Sequence, residues 1–398
     1  MTLIALRFSQ ESAVASMRNA STIKLVIAAL LVLSSFSTPY AQNESQIAAY
    51  LREHSETPVN YVMSKATSHR VTIIGEGHWL KQDVTLVAAL IPLLQKADLD
   101  LAAEFFPASE QARIDELITA AKWNEKEANA VMRAAAWPYL EYRDLLRTAW
   151  SANQGAKRPI KILALSPPLD WRKVLLPRGE TYESFMADLV SKHLKEARRN
   201  LVVYCGMHHA FTRYYQAELD KNARAWAYMD RMGNILSRRL GEQVFLITLH
   251  KPTWCGNPEQ RSYCLPFGGR IDCEATEVGR PLGFDVAGSP LAEMRFDRGD
   301  YYAYGHVALR FVDYTDGYVW SGPIESFRAV TIIPLSEYAP DGQTREQLTH
   351  ENPFNNEVNV TTKRLEEIWA QQTAANQDLL SRRNWQNLVG WQSRCPKP

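Results

Sequence analysis

Short apolar runs alternate with amphipathic stretches along most of this chain. Residues 71–75, Val-Thr-Ile-Ile-Gly, predict a buried strand that a glycine ends. Residues 101–106, 160–165, 201–205 and 243–249 repeat the pattern, and helical spacing covers 46–63, 83–96, 109–149, 182–199 and the stretch from the fourth strand to residue 240. Strands alternating with helices predict an α/β fold, a mainly parallel sheet flanked by helices on both faces. From Lys251 the texture changes. Gly, Pro and Cys accumulate, and residues 251–290 read as a Cys-containing lid or loop. Residues 306–312 and 318–320 flank Thr315-Asp316-Gly317, which predicts a C-terminal hairpin. Residues 329–334 predict a further strand, and 361–391 have helical spacing. The expected organisation is one α/β domain over 42–345, catalytic or ligand-binding, and a helical segment over 346–398. There is no fixed-period repeat and no low-complexity segment.

Reactive side chains gather where these strands end. Glu76 and His78 follow the first strand, Glu104 lies inside the second, and His208 and His209 follow Gly206 after the fourth. Open α/β sheets place their chemistry at the carboxyl ends of strands. A carboxylate in an otherwise apolar strand must be paired or solvated by a site, because an unpaired buried charge is costly. Glu76, His78, Glu104 and His209 are therefore the candidate catalytic residues. A histidine with an ordinary pKa of about 6.5 can take a proton from water, and a nearby carboxylate can orient it. The same four side chains are also a candidate donor set for a divalent metal. His208 and His209 point to different sides if the strand continues, so at most one belongs to the site. His250 and His306 fit structural hydrogen bonding better, and Ser166 and Asp170 are rim residues. In the segment Trp137–Asp144, Tyr139 and Arg143 stand four apart on one helical face, as candidate substrate-binding residues. An ion pair between helices is the plain alternative for Arg143.

Composition narrows the class. With 46% hydrophobic and 22% charged residues, the 398-residue chain can bury a large core. Its formal charge is +1, or −1 without the first 41 residues, and no Lys/Arg block offers a footprint for nucleic acid. Residues 1–41 read as a signal peptide: Arg18 and Lys24 precede the apolar run Leu25–Leu33, and small residues lead to Ser37 or Ala41. That run is shorter than the roughly 20 apolar residues a membrane span needs, so no stable span is expected once the signal is removed. The predicted location is periplasmic or secreted. Five cysteines in the mature part then suggest disulfides among Cys255, Cys264, Cys273 and Cys395, with Cys205 on its strand as the free thiol. GxSxG, GxxxxGK[ST], HExxH and GxGxxG are all missing, which favours water activated by His or metal over a serine nucleophile or a nucleotide-phosphate site.

Gly75-Glu-Gly-His78, Ala103-Glu104-Phe105 with Gln111, Trp137 with Tyr139, and Gly206-Met-His-His209-Ala210 together resemble the superfamily that groups ChaN-like haem-uptake proteins, erythromycin-esterase-like hydrolases and Tiki/TraB proteins. The resemblance spans roughly residues 70–215 and implies roles for Glu76, His78, Glu104 and His209. In the esterase branch the GExH-type histidine activates water, the Tiki branch is linked to divalent metal, and the ChaN branch to haem. Two functions follow as expectations. One is an exported hydrolase of a small-molecule or peptide ester or amide. The other is a haem- or metal-binding protein with His209 or Tyr139 as iron ligand and Trp79, Phe105 and Phe106 as apolar walls.

Overall fold

The first strand is apolar on both sides because both sides are covered. In the computed structural model, which describes residues 39–135, 137–167, 181–220, 225–257, 260–350, 353–354, 359–388, 390–391 and 395, Ile74 packs into a first hydrophobic cluster and Val71 and Ile73 into a second. The strands in chain order are β1 (Val71–Glu76), β2 (Asp100–Pro107), β3 (Ile162–Ser166), β4 (Leu201–Gly206), β5 (Gln216–Asp220), β6 (Ala225–Met229), β7 (Val244–Leu249), β8 (Thr253–Asn257), β9 (Gln260–Cys264), β10 (Leu282–Asp285) and β11 (Gly317–Trp320). Seven of them form one sheet in the order β10-β11-β7-β1-β4-β2-β3. All neighbours are parallel except β10 and β11. The expected mostly parallel α/β sheet is present, and a single unit covers Ile47–Cys395.

Strand order locates the crevice. The chain leaves β1 toward β2 and β3, whereas it leaves β4 toward β7 on the other side of β1. Direction reverses between two adjacent strands, and the space beyond their carboxyl ends is where such sheets bind ligands. Alternation then divides the charged residues between faces. Ile74 and Tyr204 share the first cluster, as do Leu101, Ala103 and Phe105, whereas Ala102, Val203 and Cys205 belong to the second. Glu76 follows Ile74 to the first face, and Glu104 follows Ala102 to the second.

Several local expectations change. The antiparallel pair near the end of the sheet exists, but Gly317–Trp320 pairs with Leu282–Asp285 and not with 306–312. Phe311 and Val312 direct their backbone N–H groups to Met294 and Ala292, and Arg310 with Asp313 starts the short helix Phe311–Tyr314. Residues 329–334 are no strand. Their backbone bonds are shared between Trp79 on one side and Pro138 and Leu140 on the other, leaving only isolated bridges at Ala329 and Ile332. The stretch after β4 holds the β5–β6 hairpin before the helix Met232–Leu240, instead of one long helix. Residues 251–290 are more ordered than a loop: the β8–β9 hairpin, the helix Arg270–Val278 and β10. The expected signal, residues 1–41, lies outside the described residues but for its last three, as does Asp170.

The cysteines pair as Cys255–Cys264 and Cys273–Cys395, and Cys205 is a buried free thiol. Such bridges persist in oxidising compartments. Among the described residues no helix is long and apolar enough to cross a membrane. The Cys273–Cys395 bond joins residues 122 apart and anchors a C-terminal segment whose Leu379, Trp385, Leu388 and Trp391 pack on Leu80, Ile324 and Phe327. Replacing both of its cysteines by serine is expected to lower the unfolding free energy by about 2–4 kcal/mol in urea titrations, since closing a long loop restricts the unfolded chain most.

Candidate functional site

Glu76 ends β1 with its side chain wholly buried, so every carboxylate lone pair needs a donor. The Tyr142 hydroxyl donates at 3.0 Å to Oε1 and 3.1 Å to Oε2, and the Tyr204 hydroxyl from β4 donates to Oε2. His78 Nδ1 closes the ring of donors at 2.7 Å from Oε1. That bond fixes the imidazole, with Nδ1 carrying the proton toward Glu76 and Nε2 turned outward. Three separate segments of the chain thus meet on one carboxylate. The His78 side chain keeps 29% of its surface exposed and leans on Trp137, ring centres 4.6 Å apart. Trp79 follows with φ of 75°, a left-handed backbone that is unfavourable for a bulky residue. Its indole is held by Arg383, whose guanidinium lies 4.0 Å above the ring and donates to the His78 carbonyl at 3.1 Å.

A second buried couple stands on the opposite face. Glu104 Oε1 meets His209 Nε2 at 3.2 Å, and its Oε2 accepts the Gly206 N–H at 2.6 Å. His209 Nδ1 donates to Glu183 at 2.9 Å. Glu183 in turn accepts the Met232 N–H at 2.9 Å and an Arg231 guanidinium N–H at 3.3 Å. Burial pushes the Glu104 carboxyl up, but the charge and hydrogen bond of His209, with His78 and the Gly206 N–H, outweigh it and bring it down to about 2. Burial pushes His209 down, and Glu104 and Glu183 raise it to about 10. His209 is therefore a cation clamped by two carboxylates, a fastening more than a base.

Gly206 joins the couples. A Cβ there would fall 2.4 Å from His78 Nε2 and 3.3 Å from Glu104 Oε2, so only glycine lets the two side chains approach over the end of β4. The neighbouring His208 turns away into a cavity where burial, Lys251 and Arg231 lower it to about 3 and keep it neutral. Gly77 plays a similar part. Its N–H donates to the buried Asp83 at 3.1 Å, and a Cβ there would fall 2.4 Å from Lys251 Cδ. Burial, then the Glu76 charge, raises the Asp83 carboxyl well above the usual range. His78 opens on a cavity of about 220 Å³ whose walls include His208, Lys251, Trp254, Tyr263 and Trp385.

Residues 62–176 match the family model described as haem-binding uptake, Tiki superfamily, ChaN. The superfamily resemblance is met. The matched stretch holds Glu76, His78, Glu104 and the helix carrying Tyr142, but not His209. A succinoglycan biosynthesis protein superposes at TM-score 0.52 with 10% identity, over 73% of this chain and 99% of its own, which is a likeness of fold. An erythromycin esterase mutant in its open conformation gives TM-score 0.47 at 10% identity over 71% and 98%. ChaN of Campylobacter jejuni, in a structure of cofacial haem binding, gives 0.28 at 12% identity over 48% and 84%. No curated protein matches the chain.

Of the residues expected in the site, Glu76, His78 and Glu104 gather around the end of β4 and His209 holds Glu104 from behind. They form pairs with one another. Among the described residues no group of three or more His, Cys, Asp and Glu is placed to hold a metal, and both ring nitrogens of His209 already face carboxylates. The four-residue donor set does not fit a metal ion. The expected haem ligands fit no better, since His209 is clamped and Tyr139 is buried beside Trp137 and Tyr142. Arg143 lies away from the cavity. The helix begins at Leu140, after Pro138, so Tyr139 and Arg143 share no helical face. Arg143 is buried and paired with Glu125 at 2.7 Å and Glu337 at 3.1 Å. His250 is a structural link between Asp272 at 2.9 Å and Tyr318 at 2.7 Å.

Tyr142, Tyr204, Glu183 and Lys251 were missed. Only Lys251 had a signal, its place two residues past the end of β7.

The clamp predicts a stability profile. Glu104 has its folded value below the usual carboxylate value of about 4.3, so its contribution is complete above that pH and lost as pH falls toward 2. His209 has its folded value above about 6.5, so its contribution is complete below that pH and lost as pH rises toward 10. The stability gap between wild type and His209→Gln, from urea unfolding, is therefore expected to be widest between about pH 4.5 and 6.5 and to narrow on both sides.

Proposed function

We propose that this chain is an exported hydrolase of ester or amide bonds that uses a water activated by His78. One observation carries the reading: Glu76 is saturated with donors and holds His78 through Nδ1, while Nε2 lies over Gly206 and the side chain borders the cavity. In that setting Nε2 takes a proton from water as the oxygen attacks the substrate carbonyl, and the imidazolium is stabilised by the buried carboxylate. The same Nε2–H then protonates the leaving oxygen or nitrogen, returning the imidazole to its starting state. Glu104 and His209 act by position. They hold the end of β4 against His78 and keep a negative charge near the imidazolium. Export is supported by the two disulfides and by the composition of residues 1–41.

His78→Ala and Glu76→Gln are each expected to lower turnover on the best substrate of an ester and peptide panel by about 10²–10⁴-fold. His78→Ala should still unfold cooperatively, because Tyr142 and Tyr204 keep their bonds to Glu76. Full turnover in both variants would end this reading.

Haem binding is the second reading, favoured by the family match over residues 62–176 and by the aromatic walls beside His78. The cavity of about 220 Å³ is smaller than the ~300–1,000 Å³ of pockets that enclose drug-sized ligands, so a haem would sit against its mouth. Hemin titration separates the readings. A Soret shift that His78→Ala abolishes supports haem binding, and an unchanged spectrum removes it.

A further inference from the structure

We infer that the cavity beside His78 is a recognition subsite for a compact flat ring bearing a negative group, with Lys251 as the cation that reads the charge. The inference rests on the hydrolase reading for what happens to the ligand afterwards, and on the cavity alone for its binding.

The cavity has two unlike halves. Its floor comes from the carboxyl ends of β1 and β7 and is polar: His78, and Lys251 lying across Gly77. Its roof is aromatic and comes from segments outside the parallel strands. Tyr263 contacts Trp385 at 5.8 Å and Trp254 at 6.3 Å between ring centres, and Trp254 meets Tyr301 edge to face at 5.2 Å. These rings form a continuous arc from the C-terminal segment through the disulfide-closed hairpin to residue 301. A volume of about 220 Å³ between such rings suits one ring-sized group.

The Lys251 ammonium donates at 3.1 Å to the Glu76 carbonyl, a neutral oxygen. Glu76 and Asp83 lie close enough to attract it, but Glu76 directs its carboxylate to His78, Tyr142 and Tyr204, and Asp83 directs its own to the Gly77 N–H. Arg383 adds a second cation at the rim, stacked on Trp79. A half-buried ammonium with a neutral partner, under an aromatic roof, selects an anion over its neutral isostere. No step at His78 uses this lysine. Burial, and then Arg383, lower Lys251 to about 8 against the opposing pull of Asp83 and Glu76, so it is charged at neutral pH.

Benzenesulfonate and benzenesulfonamide test the assignment, because they share size and shape and differ in charge. Binding of each to the full, disulfide-bonded protein is read by tryptophan fluorescence and calorimetry at pH 7. Benzenesulfonate is expected to bind about tenfold or more tightly. Lys251→Met should erase that preference while leaving sulfonamide binding, and Trp254→Ala should weaken both ligands. Without any variant, the preference in wild type should fade as pH rises past about 8. Equal affinity for the two probes at pH 7, or an unchanged preference in Lys251→Met that still melts cooperatively, overturns the inference. Either result leaves the hydrolase reading intact, whereas loss of that reading alone leaves the charge preference in place.

Discussion

A carboxylate that cannot reach water organises the centre of this protein. Glu76 sits at the end of a strand buried on both faces, and leaving it unpaired would cost several kcal/mol. Two of its donors come from places remote in sequence, Tyr142 on a helix and Tyr204 on the adjacent strand, and the third, His78, stands two residues on. Satisfying one side chain therefore sets the helix Leu140–Asn153 against the sheet, the register of β1 with β4, and the tautomer of the imidazole. Aromatic packing supports the same arrangement, since Phe105 meets Tyr142 at 4.2 Å.

The opposite face solves the same problem with charge in place of hydroxyls. Glu104 is balanced by His209, and His209 by Glu183, whose second oxygen accepts the first backbone N–H of the helix Met232–Leu240. Each group has a partner of opposite sign or a donor, which is the condition under which a buried ionic chain persists. The two systems touch at one glycine. Gly206 gives the backbone N–H to Glu104 and, by lacking a side chain, the space to His78.

Above this floor the cavity is finished by additions to the parallel sheet. The β8–β9 hairpin carries Trp254 and Tyr263 and is closed by its own disulfide, and the C-terminal segment carrying Arg383 and Trp385 is tied by the second. Chemistry and recognition are thus built from different materials. The strand ends supply polar groups with little freedom, and the disulfide-bonded segments supply aromatic surface.

The sequence alone carries the alternation of strands and helices, Glu76 and His78 at a strand end, Glu104 inside a strand, and the isolation of Cys205, because each follows from local period, local polarity or compartment chemistry. It misjudged 306–312 and 329–334, whose backbone bonds go to several partners and not to one strand. It also offered Arg143 as a ligand-binding residue, although Glu125 and Glu337 already hold it. Tertiary packing puts Glu76 and Glu104 on opposite faces, gives both ring nitrogens of His209 to carboxylates, and brings Tyr142, Tyr204 and Lys251 to the site. Those facts depend on which strands are neighbours and which face each side chain takes. Pairing between segments over a hundred residues apart is set by packing of the whole sheet, and no local pattern in the chain encodes it.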